Sequence, residues 1–204
     1  MTFDTSNNLT KAEGTGVTYD SENNQFTVTT SGKIKTYSAT LANDTVTETL
    51  ESAVYTKTID GVEVAFTYNG SNVLQSVTGN GVTFADGKFT IGNKTYTASL
   101  SNDTVTETLE SVTYTKTIEG VEVTFTYDGN GVLQDVTGTG VNYSNGTFTI
   151  STTGKEKTYS ASLNNDVVTE NLESAIYTKT IDSVEVTFTY NGSNVLQSVT
   201  GNGV

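Results

Sequence analysis

Three pairs of glutamates recur along the chain, and they are the residues best suited by type to acid–base chemistry. The pairs are Glu48 with Glu51, Glu107 with Glu110, and Glu170 with Glu173. Their surroundings are rich in Thr and Val, which favours strands, and an offset of three on a strand sends two side chains to opposite faces. Such pairs cannot easily share one substrate. The chain has no His and no Cys to form a nucleophile–base pair. We therefore expect no enzymatic activity and no catalytic residue.

Acidic turns raise the possibility of a calcium site. The candidates are Asn43-Asp44, Asn102-Asp103 and Asn165-Asp166. Calcium takes roughly six to eight oxygen ligands, usually with several carboxylates close in sequence. The chain has no Asp-x-Asp-x-Asp-Gly loop. Asn and Asp are also common turn formers. We expect turns here, and no metal or cofactor.

Three lysines occupy equivalent places on what the register predicts to be the apolar face of a hairpin, each between a Tyr and an Ile on that face: Lys57, Lys116 and Lys179. One interpretation is that each lysine extends its ammonium group to solvent at a sheet edge, where an inward lysine also discourages pairing with another sheet. The other is that they form Lys–Asn or Lys–Asp isopeptide bonds, like those of Gram-positive surface domains. The sequence does not place the partner that this second hypothesis needs.

A recurring hairpin positions these lysines. Its middle copy runs from Val112 to Tyr127, and Glu119-Gly120 separates two alternating runs. An acidic residue followed by Gly is a strong signal for a two-residue hairpin turn. Folding there pairs residues on one face as Ile118 with Val121, Lys116 with Val123, Tyr114 with Phe125, and Val112 with Tyr127. The other copies are 53–68, around Asp60-Gly61, and 175–190, around Asp182-Ser183.

The hairpins belong to longer internal repeats. Thr78-Gly-Asn-Gly-Val82 recurs as Thr137-Gly-Thr-Gly-Val141 and Thr200-Gly-Asn-Gly-Val204. These marks define repeats at 17–81, 82–140 and 141–204. Residues 1–16 align with the end of a repeat, so we interpret them as a partial preceding repeat that serves as a cap. We expect the chain to end on the first residues of a following repeat.

Within the middle repeat the pattern predicts seven short strands, near 82–84, 88–91, 94–100, 104–110, 112–118, 121–127 and 132–136. Connections of a few residues rich in Gly, Asn and Asp favour antiparallel neighbours. The segment 104–110 has an alternative as a helix, because 101–103 could cap one and Glu107 fits a capping box. Its Thr and Val content favours a strand.

The fold class that follows is all-β, with antiparallel hairpin or meander repeats stacked into an elongated, solenoid-like array. The units are separated only by Thr-Gly-x-Gly, which is short for a free linker. Tandem small β-sandwiches are the alternative, and a closed body with pseudo-threefold symmetry comes third.

Composition excludes several partners. The net charge is -13, and all ten basic residues are Lys. Such a chain repels nucleic acid, because phosphate binding needs clustered cations. No apolar run is long enough for a membrane helix, so we expect no membrane insertion. The neighbouring repeats of the same chain are the partners that the pattern itself predicts.

Two resemblances point to a class of protein. The segment 127–137, Tyr-Asp-Gly-Asn-Gly-Val-Leu-Gln-Asp-Val-Thr, resembles the turn of a YD repeat, although it lacks that family's Arg. The whole chain resembles the acidic, Cys-free, Thr/Val/Asn/Gly-rich repeats of bacterial cell-surface and adhesin proteins. This resemblance implies an extracellular or cell-surface location and a structural role as stalk, spacer or scaffold.

The alternative function is a repeat module that binds a glycan or a host surface. Tyrosine rings stack on sugar faces, and Tyr37, Tyr96 and Tyr159 lie next to turns of variable length. If the repeats bind such a ligand, these three residues are the candidate ligand-binding platforms, because their position next to variable turns predicts exposed rings. Their counterparts in the hairpins are expected in the core: Tyr55, Tyr114 and Tyr177.

Overall fold

The computed structural model describes residues 1–202, which form an all-β chain of antiparallel strands. Within this part of the chain there is no helix with the length and apolarity to cross a membrane. Gly203 and Val204, where the sequence predicts the first residue of a following repeat, lie outside the described residues.

Residues 1–202 contain twenty strands, and within each sheet the hydrogen-bonded partners are strands that follow one another in the sequence. A two-stranded sheet comes first: β1 (Thr2–Phe3) and β2 (Leu9–Lys11). The first six-stranded meander contains β3 (Val17–Asp20), β4 (Gln25–Thr30), β5 (Lys33–Ala42), β6 (Thr45–Ile59), β7 (Val62–Asn69) and β8 (Leu74–Gly79). The second contains β9 (Val82–Ala85), β10 (Lys88–Ile91), β11 (Lys94–Ser101), β12 (Thr104–Ile118), β13 (Val121–Asp128) and β14 (Leu133–Gly138). The third contains β15 (Val141–Ser144), β16 (Thr147–Thr152), β17 (Lys155–Asn164), β18 (Val167–Ile181), β19 (Val184–Asn191) and β20 (Leu196–Gly201).

The chain divides into two compact units, and the division does not fall between two sheets. The first unit ends at Thr108 and the second begins at Leu109, both inside β12.

The hairpin turns have the backbone that their sequences predict. Glu119 and Gly120 have φ values of 53° and 80°, and Asp60 and Gly61 have 48° and 79°. Two successive left-handed residues make the turn whose twist matches the flanking strands. The pairing confirms the predicted register, since Tyr114 lies opposite Phe125 and Lys116 opposite Val123. The first and third hairpins pair in the same register.

One strand prediction was wrong in its extent. The segments 104–110 and 112–118 form a single 15-residue strand, β12, as do the equivalent β6 and β18. The helix alternative for 104–110 was also wrong. Asn102 and Asp103 adopt φ values of 48° and 58° and form a hairpin turn, so the chain reverses there instead of capping a helix.

A β-bulge marks the long strand. In the first sheet Thr36 pairs with Ser52 while Tyr37 pairs with Leu50, which leaves Glu51 as the extra residue. Glu173 has the same place in the third sheet. A bulge adds a residue without ending the strand, and this is why the strand continues through the predicted break.

A tight turn packs against the strand near this point. A Cβ on Gly70 would lie 2.0 Å from the carbonyl oxygen of Leu50, so only glycine fits. Gly129 and Gly192 have the same 2.0 Å relation to Leu109 and Leu172. The aspartate that begins the second of these turns, Asp128, accepts backbone N–H bonds from Asn130 and Val132, both at 2.9 Å.

Aromatic rings join consecutive sheets within each unit. In the first unit Phe66 of β7 meets Phe89 of β10 edge to face, with ring centroids 5.4 Å apart, and Phe89 stacks on Tyr96 at 5.3 Å. In the second unit Phe125 meets Phe148 at 5.3 Å. All four phenylalanine rings are fully buried. The apolar face of each of these hairpins is thus covered by the first strands of the next sheet.

The opening strands β1 and β2 cover the corresponding place on the first sheet. Leu9, with 2% of its surface exposed, clusters with Phe26 and Ala39, and Tyr37 packs against this cluster. Residues 1–16 thus contain a short two-stranded sheet that packs on the first sheet.

Candidate functional site

The polar residues that the fold gathers lie where a hairpin meets the next sheet. We call these two places junctions. The first junction, in the first unit, consists of Tyr55, Lys57 and Asp60 of the first hairpin with Lys94, Tyr96, Asp103 and Glu107 of the second sheet. The second junction, in the second unit, consists of Tyr114, Lys116 and Glu119 with Lys155, Lys157, Tyr159, Asp166 and Glu170.

The hairpin turn supplies the acid of the first contact. Tyr96 donates its hydroxyl hydrogen bond to the Asp60 carboxylate, and Lys94 Nζ lies 3.4 Å from Asp60 Oδ1. The bond from Tyr96 and the charge of Lys94 lower the pKa of Asp60. Burial and the same bond raise the pKa of Tyr96. The turn acid is therefore held ionised against a neutral phenol.

A strand of the hairpin makes a second contact, in which the hairpin supplies the tyrosine donor and the following sheet supplies the acid. Tyr55 donates to Asp103 Oδ1 at 2.8 Å, and Lys35 Nζ lies 2.6 Å from Oδ2 of the same carboxylate. Hydrogen bonds from Lys35 and Tyr55 lower the pKa of Asp103. Burial, reinforced by the Asp103 bond and charge, raises the pKa of Tyr55 to about 12. Lys57 pairs with the Glu107 carboxylate and also donates to the carbonyl oxygen of Val105 at 3.3 Å.

The second junction repeats the turn contact with more charge. Glu119 lies 2.5 Å from Lys155 Nζ and 2.7 Å from Lys157 Nζ, and the Tyr159 hydroxyl donates to it at 3.4 Å. Hydrogen bonds from the two lysines lower the pKa of Glu119 to about 2. Burial raises the pKa of Tyr159 to about 12, with a further contribution from the Glu119 charge.

The strand contact of the second junction matches the first. Tyr114 donates to Asp166, and Lys116 pairs with Glu170 and reaches the carbonyl oxygen of Val168 at 3.4 Å. The Tyr114 hydroxyl has its pKa raised to about 12 by burial and by the Asp166 bond. Each junction therefore combines an aromatic contact with two sets of charge-assisted hydrogen bonds running in opposite directions.

The recurring glutamate pairs have separate partners. Glu170 pairs with Lys116, whereas Glu173 accepts a hydrogen bond from Ser160 Oγ at 2.6 Å. In the first sheet Glu51 accepts from Ser38 Oγ at 2.6 Å. The two carboxylates of the third-sheet pair thus stabilise different contacts. Within residues 1–202, no group of three or more His, Cys, Asp or Glu forms a metal-binding arrangement.

The three lysines divide into two groups. Lys57 and Lys116 each form an ion pair with a glutamate of a junction, and 40% of each side chain is exposed. Lys179 has no ion-pair partner in the described part of the chain. The side chains that face Lys57 and Lys116 are those of Glu107 and Glu170, whereas the predicted isopeptide bond needs an Asn or Asp. A covalent bond at these positions stays a prediction, which an intact-mass measurement would test.

The tyrosines proposed as ligand platforms are less accessible than expected. Tyr96 and Tyr159 are 6% and 5% exposed, so the prediction that they are exposed was wrong. Their rings stack on Phe89 and Phe148, and their hydroxyls bind the turn acids. Tyr37 is half-buried and stacks on Phe26.

The hairpin tyrosines only partly match the expectation that they lie in the core. Tyr55 is buried, with 4% of its surface exposed, as predicted. Tyr114 and Tyr177 are half-buried. The hydroxyl of Tyr114 reaches Asp166, which places this ring at the margin of the apolar contact.

Sequence reasoning missed the acids of the junctions as partners for Tyr and Lys. Asp103 and Asp166 were considered as calcium ligands and interpreted as turn formers, and Asp60 and Glu119 were recognised only as the first residues of hairpin turns. A partial signal was present, because the acidic turns, the Tyr and the Lys recur once in each repeat. The separation of the partners in sequence is not constant, however, since it is 48 residues from Tyr55 to Asp103 and 52 from Tyr114 to Asp166.

No protein-family model, curated protein or solved structure matches this chain. The junctions themselves are therefore the basis for a functional proposal.

Proposed function

We propose that the chain is a non-enzymatic structural repeat segment, a stalk, spacer or scaffold, of a secreted or surface-anchored bacterial protein of adhesin type. The observation that carries the proposal is the repetition of the junction. Tyr55 and Lys57 bind Asp103 and Glu107 in the first unit. Their equivalents bind Asp166 and Glu170 in the second unit. Contacts dedicated to joining repeats are the hallmark of a protein whose task is its own extended architecture.

The proposal includes stacking of the repeats into an elongated, solenoid-like array. It is supported by how the apolar surface is covered. Phe66 and Phe125 are buried by rings of the following sheet, so these hairpins do not complete their cores alone. Repeats that need a neighbour for burial stack in series.

Charge fits the same role. The net charge of -13 keeps a long chain soluble and discourages non-specific association. The clearest clusters of opposite charge are those within the junctions, where Lys155 and Lys157 face Glu119. The extracellular location belongs to the proposal and rests on composition alone.

Small-angle X-ray scattering tests the elongated form. A compact body of this length has a radius of gyration of roughly 16–17 Å. We expect a clearly larger value, and a regular increase of the maximum dimension when the segment 82–140 is duplicated in tandem. A compact value that changes little on duplication would contradict the spacer.

A glycan array tests the competing function on the same proteins. A spacer shows no glycan affinity that grows with repeat number. Binding that strengthens with each added repeat and is lost in Tyr37→Ala would favour the glycan-binding module instead. Tyr96 and Tyr159 are poor probes for this purpose, because their substitution also breaks the contacts with Asp60 and Glu119.

A further inference from the structure

The third hairpin presents the junction surface without a covering partner among the described residues. Ile181 is 42% exposed, whereas its equivalents Ile59 and Ile118 are 5% and 7% exposed. Phe188 is half-buried, although Phe66 and Phe125 are fully buried. The same surface that is covered in the first two hairpins is thus open in the third.

This open surface is concave and carries a cation. A pocket of about 410 Å³ is lined by Tyr177, Lys179, Phe188, Tyr190 and Asn194. In the two junctions, the residues equivalent to Tyr177 and Lys179 donate to an aspartate and to a glutamate four positions later. The pocket therefore has the donors for an Asp-x-x-x-Glu segment and the aromatic wall that accompanies it.

A matching acceptor segment occurs in the first repeat of the sequence. Asp44 and Glu48 occupy the positions of Asp103 and Glu107, in the turn before β6 and in β6 itself. Both are exposed, and within residues 1–202 neither has a hydrogen-bond or ion-pair partner. The first sheet therefore presents acceptors without donors, and the third hairpin presents donors without acceptors.

We propose that the open surface of the third hairpin binds the first sheet of a second copy of this chain. Tyr177 of one copy donates to Asp44 of the other, and Lys179 pairs with Glu48. The junctions provide the template, since they join the same residue types in the same order. The complementary surfaces are different patches of the molecule, so the contact is heterologous and generates open chains or closed rings of copies.

The strands β1 and β2 limit this association. Leu9 of β2 aligns with Leu74 of the first repeat, and it already covers part of the first sheet, beside Phe26. A second copy that docks fully brings β19 and β20 to this place, so its hairpin replaces β1 and β2. Loosening the latter strands is expected to strengthen the association.

Sedimentation velocity of the full chain, from about 1 µM to about 1 mM, measures the association. We expect a sedimentation coefficient that rises with concentration. Lys179→Gln and Glu48→Gln each remove one partner of the same ion pair, and we expect each to raise the dissociation constant by roughly two- to fivefold. Thr153→Glu and Glu22→Gln are the matched controls. They make the same changes in net charge at exposed turns, and the association should be unchanged.

Exchanging the charges of Lys179 and Glu48 gives a sharper test. Lys179→Glu and Glu48→Lys should each abolish association alone, and mixing the two proteins should restore it. Failure of the mixture to associate, or association of the wild type that is insensitive to Lys179→Gln, would overturn the proposal.

The variant Leu9→Asp tests the limiting role of the opening strands. We expect it to strengthen association, and the double variant with Lys179→Gln to lose that gain. Strengthening that persists in the double variant would indicate non-specific aggregation through exposed apolar surface. If neither the wild type nor Leu9→Asp associates at the highest concentration, the proposal is wrong.

Discussion

The two junctions hold their turn acids differently. In the first, Asp60 has one lysine partner, Lys94, at 3.4 Å. In the second, Glu119 has two, Lys155 and Lys157, at 2.5 and 2.7 Å. The longer glutamate side chain extends further from the turn, and the longer β16–β17 turn region of the third repeat supplies the additional lysine.

The aromatic parts of the junctions, in contrast, are nearly the same. Phe66 and Phe89 lie 5.4 Å apart, and Phe125 and Phe148 lie 5.3 Å apart, at interplanar angles of 82° and 83°. Half-exposed ion pairs contribute little to stability, whereas a buried ring contributes several kcal/mol. Ring packing therefore defines the junction, whereas the charges around the rings can vary.

The largest effect is expected from removing the shared ring. Phe66→Ala and Phe125→Ala should each reduce the free energy of unfolding by about 3–5 kcal/mol, because each leaves a cavity in a fully packed contact. Urea unfolding followed by circular dichroism measures both. Equal losses, within about 0.5 kcal/mol, would show that the rings are equivalent. A much smaller loss for one variant would show that the junctions differ in more than their charges.

A smaller effect is expected at the hairpin turns. Gly120 has a φ of 80°, and a Cβ there would meet no atom within 4 Å, so the cost of Gly120→Val is backbone strain alone. We expect a loss of about 1–3 kcal/mol. Ser183 occupies the same turn position at a φ of 69°, and Ser183→Gly should be stabilising. Unchanged thermal stability in both variants would show that the turn does not determine stability.

The smallest effect concerns acid. The folded pKa of Glu119 is about 2, below its ordinary value of 4.5, so its contribution is fully present above about pH 4.5 and is lost as the pH falls towards 2. Because the pair is partly solvated, we expect less than about 1 kcal/mol. Glu119→Gln should flatten the stability of the second unit between these pH values. The comparison variant, Asp60→Asn, acts on the first unit, and an unaltered acid profile in both would count against the contacts described.

Much of the fold could be predicted from the sequence, because apolar and polar residues alternate with a period of two along the strands. Alternation around Glu119-Gly120 predicted the pairing of Tyr114 with Phe125, and the structure confirms it. Left-handed Asn and Asp residues at the other turns follow from the same chemistry. The continuity of β6 and β18 through their bulges was not readable, because the bulged residue carries no distinctive residue type.

The junctions were beyond the reach of the sequence for a different reason. Local alternation assigns a side chain to a face, but it does not say which later sheet covers that face. Tyr96 was expected at the surface because it neighbours a variable turn, yet Phe89 and Asp60 enclose it. Contacts between segments far apart in sequence decide such burial.

The close approach of a glycine to a leucine carbonyl oxygen fixes a spacing in the sequence that can be used to recognise related proteins. The glycine follows the leucine by 20 positions in each repeat, although the repeats differ in total length: Leu50 and Gly70, Leu109 and Gly129, Leu172 and Gly192. The leucine lies on the first long strand of the hairpin and the glycine follows the second strand. An added residue between them would replace the glycine at this contact with a residue whose side chain collides with the leucine carbonyl oxygen. Insertions should therefore accumulate only outside this interval. A search for distant homologues should hold this spacing fixed and allow gaps in the turns that precede it.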